Sequence, residues 1–178
     1  MLTLEELCAG KFELPPADVC ERCEDLGDTL HTAARSSIIQ VVPANSLGDL
    51  AAAPSSAVME KIARVLNIRL QAVSILRPPT RGVYIEPIRA IYLDRTMGAT
   101  DRLAITAHEI GHERRPRAPH SEICYLAMCL TIPRLILAEL REGRPICASS
   151  LVDACPWPVP WVVAELRAEI LGKMVVAA

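Results

Sequence analysis

Apolar residues recur every three to four positions in two N-terminal stretches, which is the spacing of an amphipathic helix. The first stretch, Pro16–Ser36, has its prolines at the start and its acids crowded into the first half, as a helix favours. The second begins near Ser55 or Ser56 and continues to Leu66. The stretch 38–54 has little charge and no sustained period, so it is predicted to be a connector.

From Arg69 the apolar period shortens towards two, which is typical of β-strands. Short alternating runs surround Leu70, Val83 and Ile91, and prolines and a glycine separate them. They predict three short strands, which we expect to form a small antiparallel sheet. The last strand, 90–94, is a candidate sheet edge that an extended peptide could join.

Beyond the strands the pattern is helical, with breaks at Pro133, Gly143, Pro156 and Pro158. The predicted helices are 100–115, 121–131, 133–142, 148–155 and 158–171. Two helices, a small sheet and further helices indicate a mainly helical α+β fold.

The 178 residues, 51% of them hydrophobic, are enough to bury one core. We expect an N-terminal helical segment and connector at 1–54 and a principal domain at 55–178, packed as one compact unit. The net charge of −2 gives no reason to expect nucleic acid or an anionic membrane as a partner. No run of 18 apolar residues occurs and the first residues are acidic, unlike a secretory signal, so a cytoplasmic location is expected. Nothing in the sequence indicates an oligomeric state.

The seven cysteines are odd in number and lie mostly in apolar, helix-like contexts, which favours reduced thiols. Cys20 and Cys23 have the two-residue spacing of half a zinc knuckle, and Cys8 and His31 could complete a four-ligand site. Because Cys20 and Cys23 fall inside a predicted helix, packing is the favoured role and a second metal is the alternative.

The motif His108-Glu-Ile-Gly-His112 carries the candidate chemistry. Residues four apart share a helix face, so His108 and His112 can bind one metal ion, and Glu109 can deprotonate a water held by that metal. The alternative is that the two histidines lie on a helix surface without binding a metal, and that Glu109 pairs with a nearby arginine. The apolar lead-in 103–107 would bury the motif, which favours the metal. A glycine inside a helix is costly, so Gly111 predicts a close neighbour.

A catalytic zinc site usually has three protein ligands and one open position, and His120 and Glu122 are the remaining candidates. Glu122 begins an apolar helix where a buried carboxylate needs a partner, which favours it as the third ligand. Ordinary placement in a first helical turn is the alternative. His120 is expected to be a loop residue or to lie outside the ligand set rather than to bind the metal. Tyr125 would share the face of Glu122 and could donate to a developing oxyanion, with core packing as the competing role. Zn²⁺ is the expected ion, although Mn²⁺ also tolerates such ligands.

Three segments together resemble the ImmA/IrrE family of gluzincin-like metallopeptidases. They are the motif 108–112, the helix from Glu122 to Leu130-Thr-Ile-Pro133, and a late helix entered by Val159-Pro160 that contains Arg167. The resemblance spans roughly residues 100–171. It implies a minimal zincin-like fold with zinc on His108, His112 and Glu122, and with Glu109 as the catalytic base.

The resemblance also implies a substrate, because family members with an assigned role cleave a helix-turn-helix transcriptional repressor. The expected function is therefore that of a zinc-dependent endopeptidase acting on such a repressor. The alternative, from a different class, is a metal-dependent binding protein that sequesters a regulator without cutting it. Only nine residues separate His112 from Glu122, which leaves open whether His120 takes the place of Glu122 at the metal.

Overall fold

The computed structural model describes residues 14–39, 57–74, 80–140 and 146–176. Its helices are α1 (Ala17–Ile39), α2 (Ala57–Val65), α3 (Ala99–Arg114), α4 (His120–Thr131), α5 (Arg134–Leu140), α6 (Ala148–Ala154) and α7 (Trp161–Val176). Its strands are β1 (Arg69–Val73), β2 (Gly82–Ile85) and β3 (Ala90–Asp94). The α+β class is thus confirmed. The predicted connector from residue 40 onwards, the cap at Ser55 or Ser56 and the break at Gly143 lie outside the described residues.

The sheet has the order β1-β3-β2, with β2 antiparallel and β1 parallel to β3. The prediction of an antiparallel sheet was therefore wrong for one of its two pairs. Only four residues, 86–89, connect β2 to β3, and so short a link allows only an antiparallel pair. Along the chain β2 lies between β1 and β3, but in the sheet β1 pairs directly with β3 and runs parallel to β3. Apolar alternation specifies that a strand exists but does not specify its partner.

Strand β3 lies in the centre of the sheet and is paired on both sides. The prediction that 90–94 forms a sheet edge was therefore wrong. The edges are β1 and β2 instead. The residues of β3 are more buried than those of β1 or β2, which is expected of a central strand.

Helix α3 lies against the sheet, contacting β2 and β3, and packs along α4, whose other side contacts α1. Helices α3 and α4 pack closely at Gly111, where an added Cβ would lie 3.0 Å from Ile123 Cγ2 and 3.1 Å from its carbonyl oxygen. The close neighbour predicted for Gly111 is confirmed. The core around these helices consists mainly of aliphatic side chains with methionines and cysteines among them, and it includes side chains of α1 as well as α7.

None of the described helices combines the length and the apolarity needed to cross a lipid bilayer.

Candidate metal centre

Three histidines meet where α3 ends and α4 begins. His108 and His112 lie one turn apart on α3, and His120 is the first residue of α4. One potential ligand atom from each lies within 4.8 Å of the others. The Nε2 atoms of His108 and His112 are 3.1 Å apart, and the ring centroids of His108 and His120 are 5.0 Å apart.

A short connection between the helices brings His120 back to α3. Pro116 disfavours helical geometry in the residue before it, and Arg115 accordingly leaves the helix with φ −135° and ψ 59°. Pro119 then precedes α4 in an extended conformation, with φ −53° and ψ 147°. The chain therefore reverses within residues 115–119, and the start of α4 lies beside the last turns of α3.

The histidine geometry fits a tetrahedral metal. With zinc to nitrogen distances of about 2.0–2.1 Å, two ligand nitrogens lie about 3.3 Å apart, close to the 3.1 Å between His108 and His112. The widest separation in the group exceeds that spacing by at most about 1.5 Å. His120 is exposed in a first helical turn, where its side chain has room to change rotamer.

The protonation states of the histidines also suit a metal. Burial and the neighbouring charges of His112 and His120 lower the pKa of His108 to about 3. Burial likewise lowers the pKa of His112 and of His120. Neutral imidazoles keep a lone pair free for coordination near pH 7. The other ring nitrogen of His108, Nδ1, is not part of the Nε2 pair and is buried without a hydrogen-bond partner among the described residues.

Glu109 lies next to this group and is only 1% exposed. Its Oε2 accepts a hydrogen bond of 2.8 Å from the backbone N–H of Tyr84, whereas its Oε1 is buried with no partner among the described residues. Burial raises the pKa of Glu109 to about 7, against the opposing effect of the Tyr84 N–H. A carboxylate that ionises near neutral pH is well matched to general-base chemistry.

A cleft of about 380 Å³ between β2 and α3 opens onto Glu109 and His112. Val83 and Tyr84 form its strand wall. Across it, Glu113 of α3 forms a 2.9 Å ion pair with Arg89. The cleft is large enough for a few residues of an extended peptide beside the histidines.

Strand β2 turns one set of its backbone groups towards this cleft. The N–H of Asp94 donates to the carbonyl of Arg81, and Val83 is aligned with Tyr92, so alternate residues of β2 bond to β3. The groups of Gly82 and Tyr84 therefore point away from β3, and Tyr84 meets Glu109 there.

Gly82 is a feature of the site that sequence reasoning missed. A Cβ at Gly82 would collide with the Ile105 side chain of α3 and would lie 3.5 Å from Cγ of Glu109. Only glycine therefore lets α3 approach β2 closely enough for Glu109 to reach Tyr84. The sequence signal was a glycine at the start of a strand run, which by itself indicates only a break.

Glu122, predicted as the third ligand, does not join the histidine group. Successive helical residues are about 100° apart, so His120 and Glu122 point in nearly opposite directions from α4. His120 faces α3, as does Ile123, which contacts Gly111. Glu122 faces α1, where burial raises the pKa of the Cys23 thiol to about 11 and the charge of Glu122 adds to that rise. The geometry therefore brings His120, rather than Glu122, to His108 and His112.

Tyr125, predicted as an oxyanion donor, lies on the face of Glu122, as its spacing implied. That face is buried in the core rather than open to the cleft. The Tyr125 hydroxyl donates to Glu24 of α1 at 2.9 Å and accepts from Arg167 of α7 at 3.3 Å. The structure thus supports the alternative role for Tyr125, in which the ring packs in the core and the hydroxyl is hydrogen-bonded there.

The alternative of a second metal at the N-terminus finds no ligand group in the described ranges. Cys20 and Cys23 are free thiols buried in α1. The Nε2 of His31 is 2.7 Å from the carbonyl oxygen of Leu130, and its ring stacks on Trp157. Cys8 lies outside the described residues.

No protein-family model matches this chain, and a search of curated proteins likewise finds no match. The likeness to the ImmA/IrrE family therefore rests on the three sequence segments that carry it.

Proposed function

We propose that this protein is a zinc-dependent endopeptidase with His108, His112 and His120 as the metal ligands and Glu109 as the general base. The observation that carries the proposal is the juxtaposition of three neutral imidazoles with a buried carboxylate of pKa about 7, at the mouth of a cleft along a strand edge. Three imidazole ligands favour zinc over manganese, which prefers oxygen donors.

A bound zinc ion supplies Lewis acidity, which makes a water more acidic and a peptide carbonyl more electrophilic. The chain supplies the remaining functions. Glu109 accepts the proton of the attacking water on its unbonded Oε1 and can return it to the leaving amine. Its Oε2 is held by Tyr84, which fixes the direction of the carboxylate.

The outward backbone groups of Gly82 and the outward carbonyl of Tyr84 suit a substrate bound in an extended conformation, since an added strand could pair with them while the Tyr84 N–H stays bonded to Glu109. By the resemblance to ImmA/IrrE, we propose that the natural substrate is a helix-turn-helix repressor, met in the cytoplasm.

The test uses zinc-loaded protein and a mixture of peptides derived from a bacterial proteome, with new termini detected by mass spectrometry. Wild type should create new termini. Glu109→Gln should bind zinc normally but lose cleavage by about 10²–10⁴-fold, the range typical of a lost general base. Glu113→Gln is the matched control, because Glu113 lies one turn further along α3 in the same cleft. It should retain most of the activity.

Absence of new termini from wild type with either zinc or manganese would overturn the peptidase and favour a metal-dependent binding protein that sequesters a regulator. Equal losses in both variants would also count against the proposal, because they would point to the charge of the cleft rather than to a base at position 109.

A further inference from the structure

A second groove, of about 570 Å³, lies at the opposite edge of the sheet between α2, β1 and α3. Buried apolar side chains form its floor, among them Met59, Ile68 and Leu103. Its volume is within the range of ordinary ligand sites. It shares no lining residue with the cleft beside Glu109.

The groove has a strong excess of positive charge. Arg64, Arg69 and Arg102 line it, against the single carboxylate of Glu60. Among the described residues, no carboxylate lies within 4.0 Å of any of these arginines, whereas Arg89 and Arg167 elsewhere in the fold are paired. Within the part of the chain that the structure describes, the Nε–H of Arg102 is also buried without a hydrogen-bond partner. Arg69 donates one hydrogen bond to the carbonyl of Ile88, but no carboxylate among the described residues neutralises any of the three guanidinium groups, which favours an anionic ligand.

The same groove exposes a free strand edge. The N–H of Arg69 donates to the carbonyl of Arg89, and the carbonyl of Val73 accepts from Arg95, so alternate residues of β1 bond to β3. Leu70 and Ala72, the residues between, therefore turn their N–H and C=O groups away from β3. Both line the groove. No described strand pairs with this side of β1, and unpaired groups of this kind form a template for an added strand.

We propose that this groove binds an acidic peptide segment in extended conformation, as a fourth strand along β1. The backbone of the segment pairs with Leu70 and Ala72, and its carboxylates pair with the three arginines. An inorganic anion would use the arginines but would leave the strand edge unpaired. A peptide with acidic side chains matches both features, and β1 has room for about five of its residues. The proposal does not depend on the peptidase activity, because the two sites lie at opposite sheet edges.

The experiment measures fluorescence anisotropy of a labelled ten-residue peptide of alternating Glu and Val, with EDTA present so that no metal contributes. Saturable binding that weakens as salt rises is expected. The Lys and Val counterpart should not bind. Arg64→Glu should weaken binding about tenfold, as a reversed charge at a complementary site does. Arg22→Glu, an equal charge reversal on exposed α1, should leave binding unchanged.

Two further peptides test the strand pairing without altering the protein. One is N-methylated on its Glu residues and the other on its Val residues, so each loses one alternate set of N–H donors. A peptide paired along β1 uses one set only, and one of the two should lose binding while the other keeps it. Binding that survives both modifications, or inorganic phosphate that competes as well as the unmodified peptide, would overturn the proposal. So would equal affinities of the Arg64→Glu and Arg22→Glu proteins.

Discussion

Helix α4 contributes to two polar clusters that differ in how fully their atoms are bonded. At its start, His120 joins the histidine group, where His108 Nδ1 and Glu109 Oε1 are buried without hydrogen-bond partners among the described residues. Further along, Tyr125 joins a buried cluster in which both carboxylate oxygens of Glu24 are bonded. Arg167 approaches each of these oxygens at 2.6 Å, although its own Nε is unpaired. Because an unbonded buried carboxylate oxygen costs free energy, Glu109 gains from a further hydrogen-bond donor, whereas both oxygens of Glu24 already have one.

The two buried glutamates make the contrast sharper. Burial raises the pKa of each, but in Glu24 the hydrogen bond and charge of Arg167 and the hydrogen bond of Tyr125 outweigh burial and hold the pKa below its usual value. In Glu109 a hydrogen bond from one backbone N–H is the only effect that opposes burial, and the pKa is raised to about 7. A fully paired carboxylate stays ionised and acts structurally, whereas a carboxylate left half-bonded can exchange a proton near neutral pH.

The largest expected effect comes from disrupting the buried cluster of Glu24, Tyr125 and Arg167. Arg167→Met leaves the Glu24 carboxylate without its cation, which should lower the free energy of unfolding by about 3–5 kcal/mol in urea titrations. The zinc affinity of the protein that remains folded should not change. Arg134→Met is the matched control, because Arg134 pairs with Asp25 and Asp28 of the same α1 helix at the surface. That loss should stay below about 1 kcal/mol. Similar losses in the two variants would refute a special role for the buried pair.

The next effect concerns the histidine group and its proposed third ligand, His120. Zinc affinity measured by competition with a chelator should fall by at least about 100-fold in His120→Ala, since loss of a ligand exceeds the 10–100-fold typical of an outer partner. Glu122→Ala should change it little, because that carboxylate faces α1. The reverse order of effects would restore the ligand set that the ImmA/IrrE resemblance implies.

His120 and Glu122 also show what sequence could and could not provide. The pair at positions 108 and 112 was predictable, because i and i+4 side chains share a face on any helix. The residue that α4 adds to this pair was not predictable, because the two candidates lie on opposite faces of α4. Which face meets α3 depends on the start of α4 and on its packing against α1.

The sheet shows the same limit. Its three strands follow from the period of the apolar residues, but the parallel pairing of β1 with β3 depends on contacts between distant segments. The role of Gly82 likewise depends on the approach of α3 to β2. Local pattern therefore predicted the elements and the motif, whereas the open strand edges and the group of three histidines required the tertiary arrangement.

A smaller effect links Glu109 to stability. Its pKa is 4.5 when unfolded and about 7 in the fold, so between these values the folded state binds more protons and the metal-free protein loses stability as pH rises. Glu109→Gln removes this loss. The variant should exceed wild type by about 3 kcal/mol in free energy of unfolding at pH 8.5, and the difference should vanish near pH 4. His108, with its lowered pKa, changes stability in the opposite direction, but it is common to both proteins and cancels in the comparison. A difference independent of pH would contradict the burial of an ionisable carboxylate.

The smallest expected effect tests whether α3 and α4 must pack closely to bring the three histidines together. Gly111→Ala places a methyl group 3.0 Å from Ile123, which should outweigh the better helix propensity of alanine and lower the free energy of unfolding by about 1–2 kcal/mol. Gly172→Ala, in α7 with no atom within 4 Å of the added Cβ, should instead gain up to about 1 kcal/mol. Because Ile123 is on the His120 face of α4, displacement at Gly111 should also weaken zinc binding, whereas the control should not. Unchanged zinc affinity in Gly111→Ala would mean that His120 reaches the other histidines without close packing of the two helices.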